Sequence, residues 1–234
     1  HSWGSPYLEN HDQCRSVNKY IPAEEIGYES KTALGALYFF LRGTPFIYQG
    51  QEIGMENYPF ADITEIRDPF AISRYEQEAE QGNDVEADMD YFRQRGRDNA
   101  RIPMQWDASV YAGFSKVKPW IQVHPDHEKI NVETEQKAER SVLKFYKEMI
   151  RLRTKSEFHE ILTFGDFRAV QTAEDTFFCY DRVLDNKTLR VMINLCGQSV
   201  EIPENLRGNQ VILNNLETYS DADLQPYQAV ILQF

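Results

Sequence analysis

Glu9, Asn10, His11, Asp12 and Gln13 form an unbroken polar run directly after the short extended stretch Pro6–Leu8. Strand ends that release clustered Asn, His and Asp are where barrels and open α/β sheets place their active sites. A carboxylate between an imidazole and an amide is held by several hydrogen bonds, which favours its charged form. Asp12 in this setting suits stabilisation of a cationic transition state. Glu52 stands just after a second extended stretch, Phe46–Tyr48, as a further carboxylate at a strand end. Arg97 sits in the block Gly96-Arg97-Asp98-Asn99-Ala100-Arg101. Its guanidinium fork can grip a pair of hydroxyls or a carboxylate, and a salt bridge to Asp98 or another acidic neighbour is the plain alternative.

The elements that must position these residues can be read from periodicity and punctuation. Ser5–Leu8 and Phe46–Tyr48 are expected as short strands, the second of them buried. Between them Ser30 is the expected N-cap of a helix over Lys31–Arg42, whose run Ala33–Leu41 is apolar on all sides and so belongs between layers. Gly43 ends it. Strand, helix and strand in this order form one βαβ unit. Ile72–Gln94 is strongly acidic around a Gly82-Asn83 break, which predicts a pair of solvated helices. Its spacing lacks the central glycine and terminal glutamate of a calcium loop, so no metal site is expected. Val142, Phe145, Tyr146, Met149 and Ile150 share one helical face, predicting an amphipathic helix from about Thr134 to Lys155.

After Lys155 the period becomes alternating. Strands are expected at Phe164–Val170, Thr176–Val183, Thr188–Leu195, Gln210–Leu213 and Tyr227–Phe234, with a tight turn at Asp185-Asn186-Lys187. On the third of these, Leu189, Val191, Ile193 and Leu195 share one face and Arg190, Met192 and Asn194 the other. The domain boundary falls near Lys155, giving residues 1–155 and 156–234, the latter a small antiparallel sandwich or barrel.

Composition narrows the partners. The chain has 234 residues, 37 acids against 25 bases, and a formal net charge of −12. That balance argues against nucleic acid and against an anionic membrane surface. The three cysteines have no metal-ligand spacing and are expected as free thiols. No apolar run approaches the ~20 residues that cross a bilayer and no signal peptide is visible, so with thiols suited to a reducing compartment a cytoplasmic protein is expected.

Three blocks carry a resemblance. Asn10-His11-Asp12-Gln13 with Arg15 resembles the last catalytic signature of the α-amylase superfamily. Gly43–Met55 and Gly96–Asp107 are similar to blocks of its oligo-1,6-glucosidase, dextran glucosidase and trehalose-6-phosphate hydrolase branch. Cys14 departs from the pattern, standing where the family usually has proline, but it removes no functional group. The resemblance implies α/β plus all-β architecture: the last βα units of a TIM-type barrel followed by a β-sandwich. It implies a retaining α-glucosidase acting on short α-linked gluco-oligosaccharides from the non-reducing end, without a cofactor.

In that family Asp12 matches the transition-state carboxylate, His11 a ligand to hydroxyls of the innermost sugar, and Arg97 the residue that closes the pocket. Glu52 is read as supporting the site, and Arg15 and Arg101 as structural ion-pair partners. The nucleophile and general acid come from earlier barrel strands, so this chain resembles a C-terminal part that is inactive without the N-terminal part of the barrel. The alternatives are a trehalose-6-phosphate hydrolase and a non-catalytic carbohydrate-binding or interaction module. A two-strand piece of barrel also exposes apolar surface. The isolated chain is therefore expected to self-associate or to be marginally stable, and a well-behaved monomer of 27.4 kDa by light scattering would contradict this.

Overall fold

In the computed structural model, which describes residues 3–208 and 210–234, Pro6 shapes the first expected strand. His1 and Ser2, with which the chain opens abruptly, and Asn209 lie outside the described residues. Thr44 N–H donates to Gly4 O and Phe46 N–H to Pro6 O, both at 2.9 Å. The two runs therefore lie side by side and point the same way, yet neither is a regular strand. A parallel ladder also needs a bond from the N–H of Pro6, and proline has none. Gly43, at φ +133°, permits the approach, since a Cβ there would collide with Gly4 O. Phe46 corrects the expectation of burial: the residue is 56% exposed.

The helices are α1 (Ser16–Tyr20), α2 (Tyr28–Phe39), α3 (Pro69–Glu80), α4 (Val85–Arg95), α5 (Val132–Lys137), α6 (Val142–Lys155) and α7 (His159–Phe164). The strands are β1 (Asp166–Val170), β2 (Phe177–Leu184), β3 (Lys187–Asn194), β4 (Val200–Glu201), β5 (Gln210–Asn214), β6 (Asp223–Leu224) and β7 (Ala229–Gln233). They pack as two compact units. One comprises the residues up to Tyr7 with Glu24–Phe46 and Lys144–Phe234; the other comprises Leu8–Ala23 and Ile47–Leu143.

The first unit holds an antiparallel five-stranded sheet in the order β1-β2-β3-β7-β5, and β4 pairs with β6 apart from it. The turn between β2 and β3 closes at Leu184↔Lys187, with Asp185 left-handed at φ 52°, a conformation Asp tolerates. Alternation along β3 does not separate core from solvent. Met192 packs with Phe177, Cys179, Val230 and Leu232 against Val200, Ile202, Leu206 and Leu224, forming the sandwich core. The opposite face, with Val191 and Ile193, is also buried. There Tyr180, paired with Val191, hydrogen-bonds Leu37 O of α2. A sheet covered on both faces reads as apolar on both.

Helix α2 begins three residues earlier than expected. Ser30 is not the N-cap but lies inside the first turn. It accepts from Gly27 N–H at 2.9 Å and donates to Glu25 O, so a serine reaching backward closes the helix start. Two buried arginines close the other end. Arg153 donates to Phe39, Leu41 and Gly43 carbonyls. Arg182 donates to Phe40 O, Leu162 O, Thr163 O and Gly165 O, joining the C-terminal carbonyls of α2 and α7. Burial, with the Arg153 charge acting the same way, pushes the Arg182 guanidinium down to about 10.

In the second unit α3 and α4 form the expected pair of solvated helices, N-capped by Asp68 and Asp84. A small core of Phe60, Ile66, Ala71, Met89 and Phe92 lies beneath them. The single helix expected over Thr134–Lys155 is two. It breaks after Lys137, where Ala138 turns extended, and Glu135 caps the next helix by accepting from Leu143 N–H at 3.0 Å. On α6, Ile150 is 40% exposed and Leu152 takes its expected place in the buried stripe.

Arg182→Ala leaves several buried carbonyls without donors and is expected to cost about 3 kcal/mol or more. Chemical denaturation of the chain checks this, and an unchanged midpoint would refute it.

Candidate functional site

A buried ion pair builds the base of the Asn10–Gln13 loop. Arg15 and Glu9 side chains are 0% and 2% exposed, with Nη1 and Oε2 3.1 Å apart. The other Glu9 oxygen accepts from Ser16 N–H and Oγ, at 2.9 and 2.6 Å. Arg15 Nη1 also donates to Gln49 O at 2.8 Å, and its guanidinium lies over the Tyr48 ring. Gly50 passes closely, and a Cβ there would lie 3.1 Å from Arg15 Nη2. Between these anchors Asn10 folds the loop by accepting Asp12 N–H on Oδ1 at 2.8 Å. Cys14 follows as a buried thiol, and burial raises its pKa.

The loop presents Asp12 at half exposure. Arg101 Nη2 donates to Asp12 Oδ1 at 2.9 Å, while Arg101 Nε holds His11 O at 3.0 Å. His11 Nε2 lies 3.2 Å from Asp12 Oδ2, and Arg97 Nη1 approaches Oδ1 at 3.6 Å. The expected site residues Asp12, His11 and Arg97 are thus neighbours, although Arg97 lies far from the other two in sequence.

Arg97 is held elsewhere. Its Nε and Nη2 donate to the two oxygens of Asp68 at 2.7 and 2.6 Å. Asp68 is itself buried, and Asp98 Oδ2 accepts its N–H at 2.8 Å and that of Arg67 at 2.6 Å. Asp98 Oδ1 lies 3.5 Å from Arg101 Nη1. Burial pulls the Asp68 pKa up, but hydrogen bonds from Arg97 and Phe70 N–H, with the Arg97 and Arg101 charges, leave it below the usual carboxylate range. Arg97 is correspondingly raised by its bond to Asp68.

A profile of the α-amylase catalytic domain matches residues 1–163. The chain belongs to the α-amylase family. The probable oligo-1,6-glucosidase 3 of Bacillus subtilis is 35% identical over 237 residues, covering 98% of this chain and 42% of that protein. The trehalose-6-phosphate hydrolase of Escherichia coli is 33% identical over 238 residues, covering 98% and 42%. Among solved structures, the isomaltulose synthase from Klebsiella sp. LX3 superposes with a TM-score of 0.89 at 31% identity, covering 100% of this chain and 43% of that one. The chain thus spans about 42% of the length of these curated relatives. Its fold class is that of the family: closing βα segments of a TIM-type barrel, then a small antiparallel β-sandwich.

Within this cluster, Asp68 was not foreseeable as a partner of Arg97. The Asp68-Pro69 pair announces a helix start, and Asp68 does cap α3 by accepting Phe70 N–H at 3.2 Å. Nothing in that signal says that the same carboxylate also holds an arginine 29 residues away. Glu52 is a different case. Its Oε2 is buried without a hydrogen-bond partner among the described residues. Burial raises its pKa above the ordinary value of 4.5, with Glu9 adding in that direction and Gly50 N–H and Arg15 opposing.

A carboxyl raised in the fold binds its proton more tightly folded than unfolded. Ionisation therefore weakens the fold as pH rises from the unfolded pKa to the folded one. Glu52→Gln removes that penalty, so its stability relative to wild type is expected to be more favourable at pH 7 than at pH 4. Urea titrations at the two pH values check the sign, and a constant difference would contradict it.

Proposed function

We propose that this chain is the C-terminal part of a retaining α-glucosidase that releases glucose from the non-reducing end of short α-linked gluco-oligosaccharides. Residues 1–155 supply the closing part of its catalytic barrel and residues 156–234 its β-sandwich domain. The observation that carries the reading is the half-exposed Asp12 carboxylate, held by Arg101 between His11 and Arg97. In this role Asp12 stabilises the oxocarbenium-like transition state, His11 binds sugar hydroxyls beside it, and Arg97 closes the pocket around the terminal glucose.

Retention requires two carboxyl groups about 5–5.5 Å apart, one nucleophilic and one donating a proton. The carboxylates near Asp12 do not supply this pair. Asp68 is held ionised by the Arg97 fork, and Asp98 is spent on two backbone N–H groups. In our reading, as the family resemblance implies, the pair comes from the earlier strands of the barrel, and the 234-residue chain alone is inactive. Three unpaired cysteines fit a reducing compartment, and we read the protein as cytoplasmic. None of the described helices is long and apolar enough to cross a membrane.

A trehalose-6-phosphate hydrolase is the second reading, favoured by the likeness to the Escherichia coli enzyme. Hydrolysis of isomaltose, maltose and trehalose 6-phosphate by the intact enzyme separates the two. Asp12→Asn in that enzyme is expected to lower kcat by about 10²-fold or more, as loss of a transition-state partner does. Retention of activity within a few-fold would remove Asp12 from the mechanism.

A further inference from the structure

We infer that Asp68 is a positioning residue whose task is to keep the Arg97 guanidinium off Asp12 and turned toward substrate. The inference deepens the glucosidase reading and rests on it. Two carboxylates compete for one guanidinium here. Asp68 takes Nε and Nη2 in a fork at 2.7 and 2.6 Å, whereas Asp12 meets only Nη1, at 3.6 Å.

Geometry decides the competition. A bidentate fork is stronger and more directional than one long contact. Asp68 cannot drift: its side chain is 5% exposed, it caps α3 through Phe70 N–H, and its own N–H is tied to Asp98 Oδ2. Asp98 reaches Arg101, and Arg101 holds both Asp12 and His11 O. A closed ring runs through Asp12, Arg101, Asp98, Asp68 and Arg97: each link pairs a carboxylate with a guanidinium except the one between Asp98 and Asp68, where the Asp68 N–H donates to Asp98 Oδ2. Loosening one link lets its arginine fall onto the nearest free carboxylate.

For Arg97 that carboxylate is Asp12. A guanidinium closed onto Asp12 would occupy acceptor oxygens that sugar hydroxyls need and would withdraw its own donors from the pocket. Asp68 therefore sustains both residues without touching substrate. The acidic helix pair α3 and α4, whose surface is otherwise solvated, acquires a role through it: the start of α3 sets the orientation of the pocket arginine.

Asp68→Asn separates this task from capping, because Asn caps a helix as well as Asp does but accepts with one oxygen only. In the intact enzyme Asp68→Asn is expected to lower kcat/KM at least about tenfold, with the melting temperature little changed. In an Arg97→Met background the same substitution is expected to change kcat/KM by less than about twofold, since its target is gone. An equal loss in both backgrounds would overturn the inference. So would wild-type kinetics for Asp68→Asn beside an impaired Asp68→Ala, which is the signature of a cap alone. In the 234-residue chain the Arg97 Nε proton should exchange at least about tenfold faster in Asp68→Asn, and unaltered exchange would likewise overturn it. That measurement does not need activity. If the intact wild-type enzyme hydrolyses no glucoside, the glucosidase reading fails while the exchange rates still decide whether Asp68 holds Arg97.

Discussion

The contact between Arg15 and Glu9 is the constraint on which the loop chemistry depends. Two charges buried together survive only when hydrogen bonds meet their remaining lone pairs and protons. Glu9 meets this through Ser16; Arg15 meets it in part, through Gln49 O and the Tyr48 face, with its Nε buried without a hydrogen-bond partner among the described residues. The pair brackets the residues 10–14, so the chain that leaves Glu9 must return within a few residues. Asn10 makes the return possible by folding over Asp12 N–H. The polar side chains between the anchors then have one direction left, outward. A buried, immovable base is what allows an exposed carboxylate to be held in place.

The sheet-bearing unit uses arginine differently. Arg153 and Arg182 bond to helix-terminal carbonyls rather than to carboxylates. The C-terminal end of a helix carries partial negative charge and orphan acceptors, and a forked cation satisfies several at once. This explains how α2, apolar on nearly every side, can end inside the protein. It also explains why α2 packs with the sheet, although more than a hundred residues of sequence separate Phe40 from Arg182 of β2.

Much of this was legible beforehand. Alternation placed the long strands to within a few residues, because side chains on a pleated sheet report their faces locally. The Gly82-Asn83 break between acidic runs announced α3 and α4, since solvated helices need little beyond caps and composition. The Asn10–Asp12 cluster was visible as chemistry because its residue types are scarce in such concentration. What failed was whatever depended on which particular partner a side chain or backbone group would take. Ser30 looked like a cap and was a residue bonding backward. The expected strand at Phe46 met a proline on its neighbour. The single helix through Thr134 was cut where Glu135 found a better use for its carboxylate.

Sequence alone therefore determined the local periods, the turn positions and the identity of the reactive groups, since each depends on residues within a turn or a strand of one another. Only the tertiary structure decided which charges meet. Asp68, Asp98, Arg97, Arg101 and Asp12 could pair in several ways, and their order in the chain favours none of them. Burial of Asp68 and the backbone bonds to Asp98 select one pairing, because a desolvated carboxylate must take the partner whose geometry fills both its oxygens.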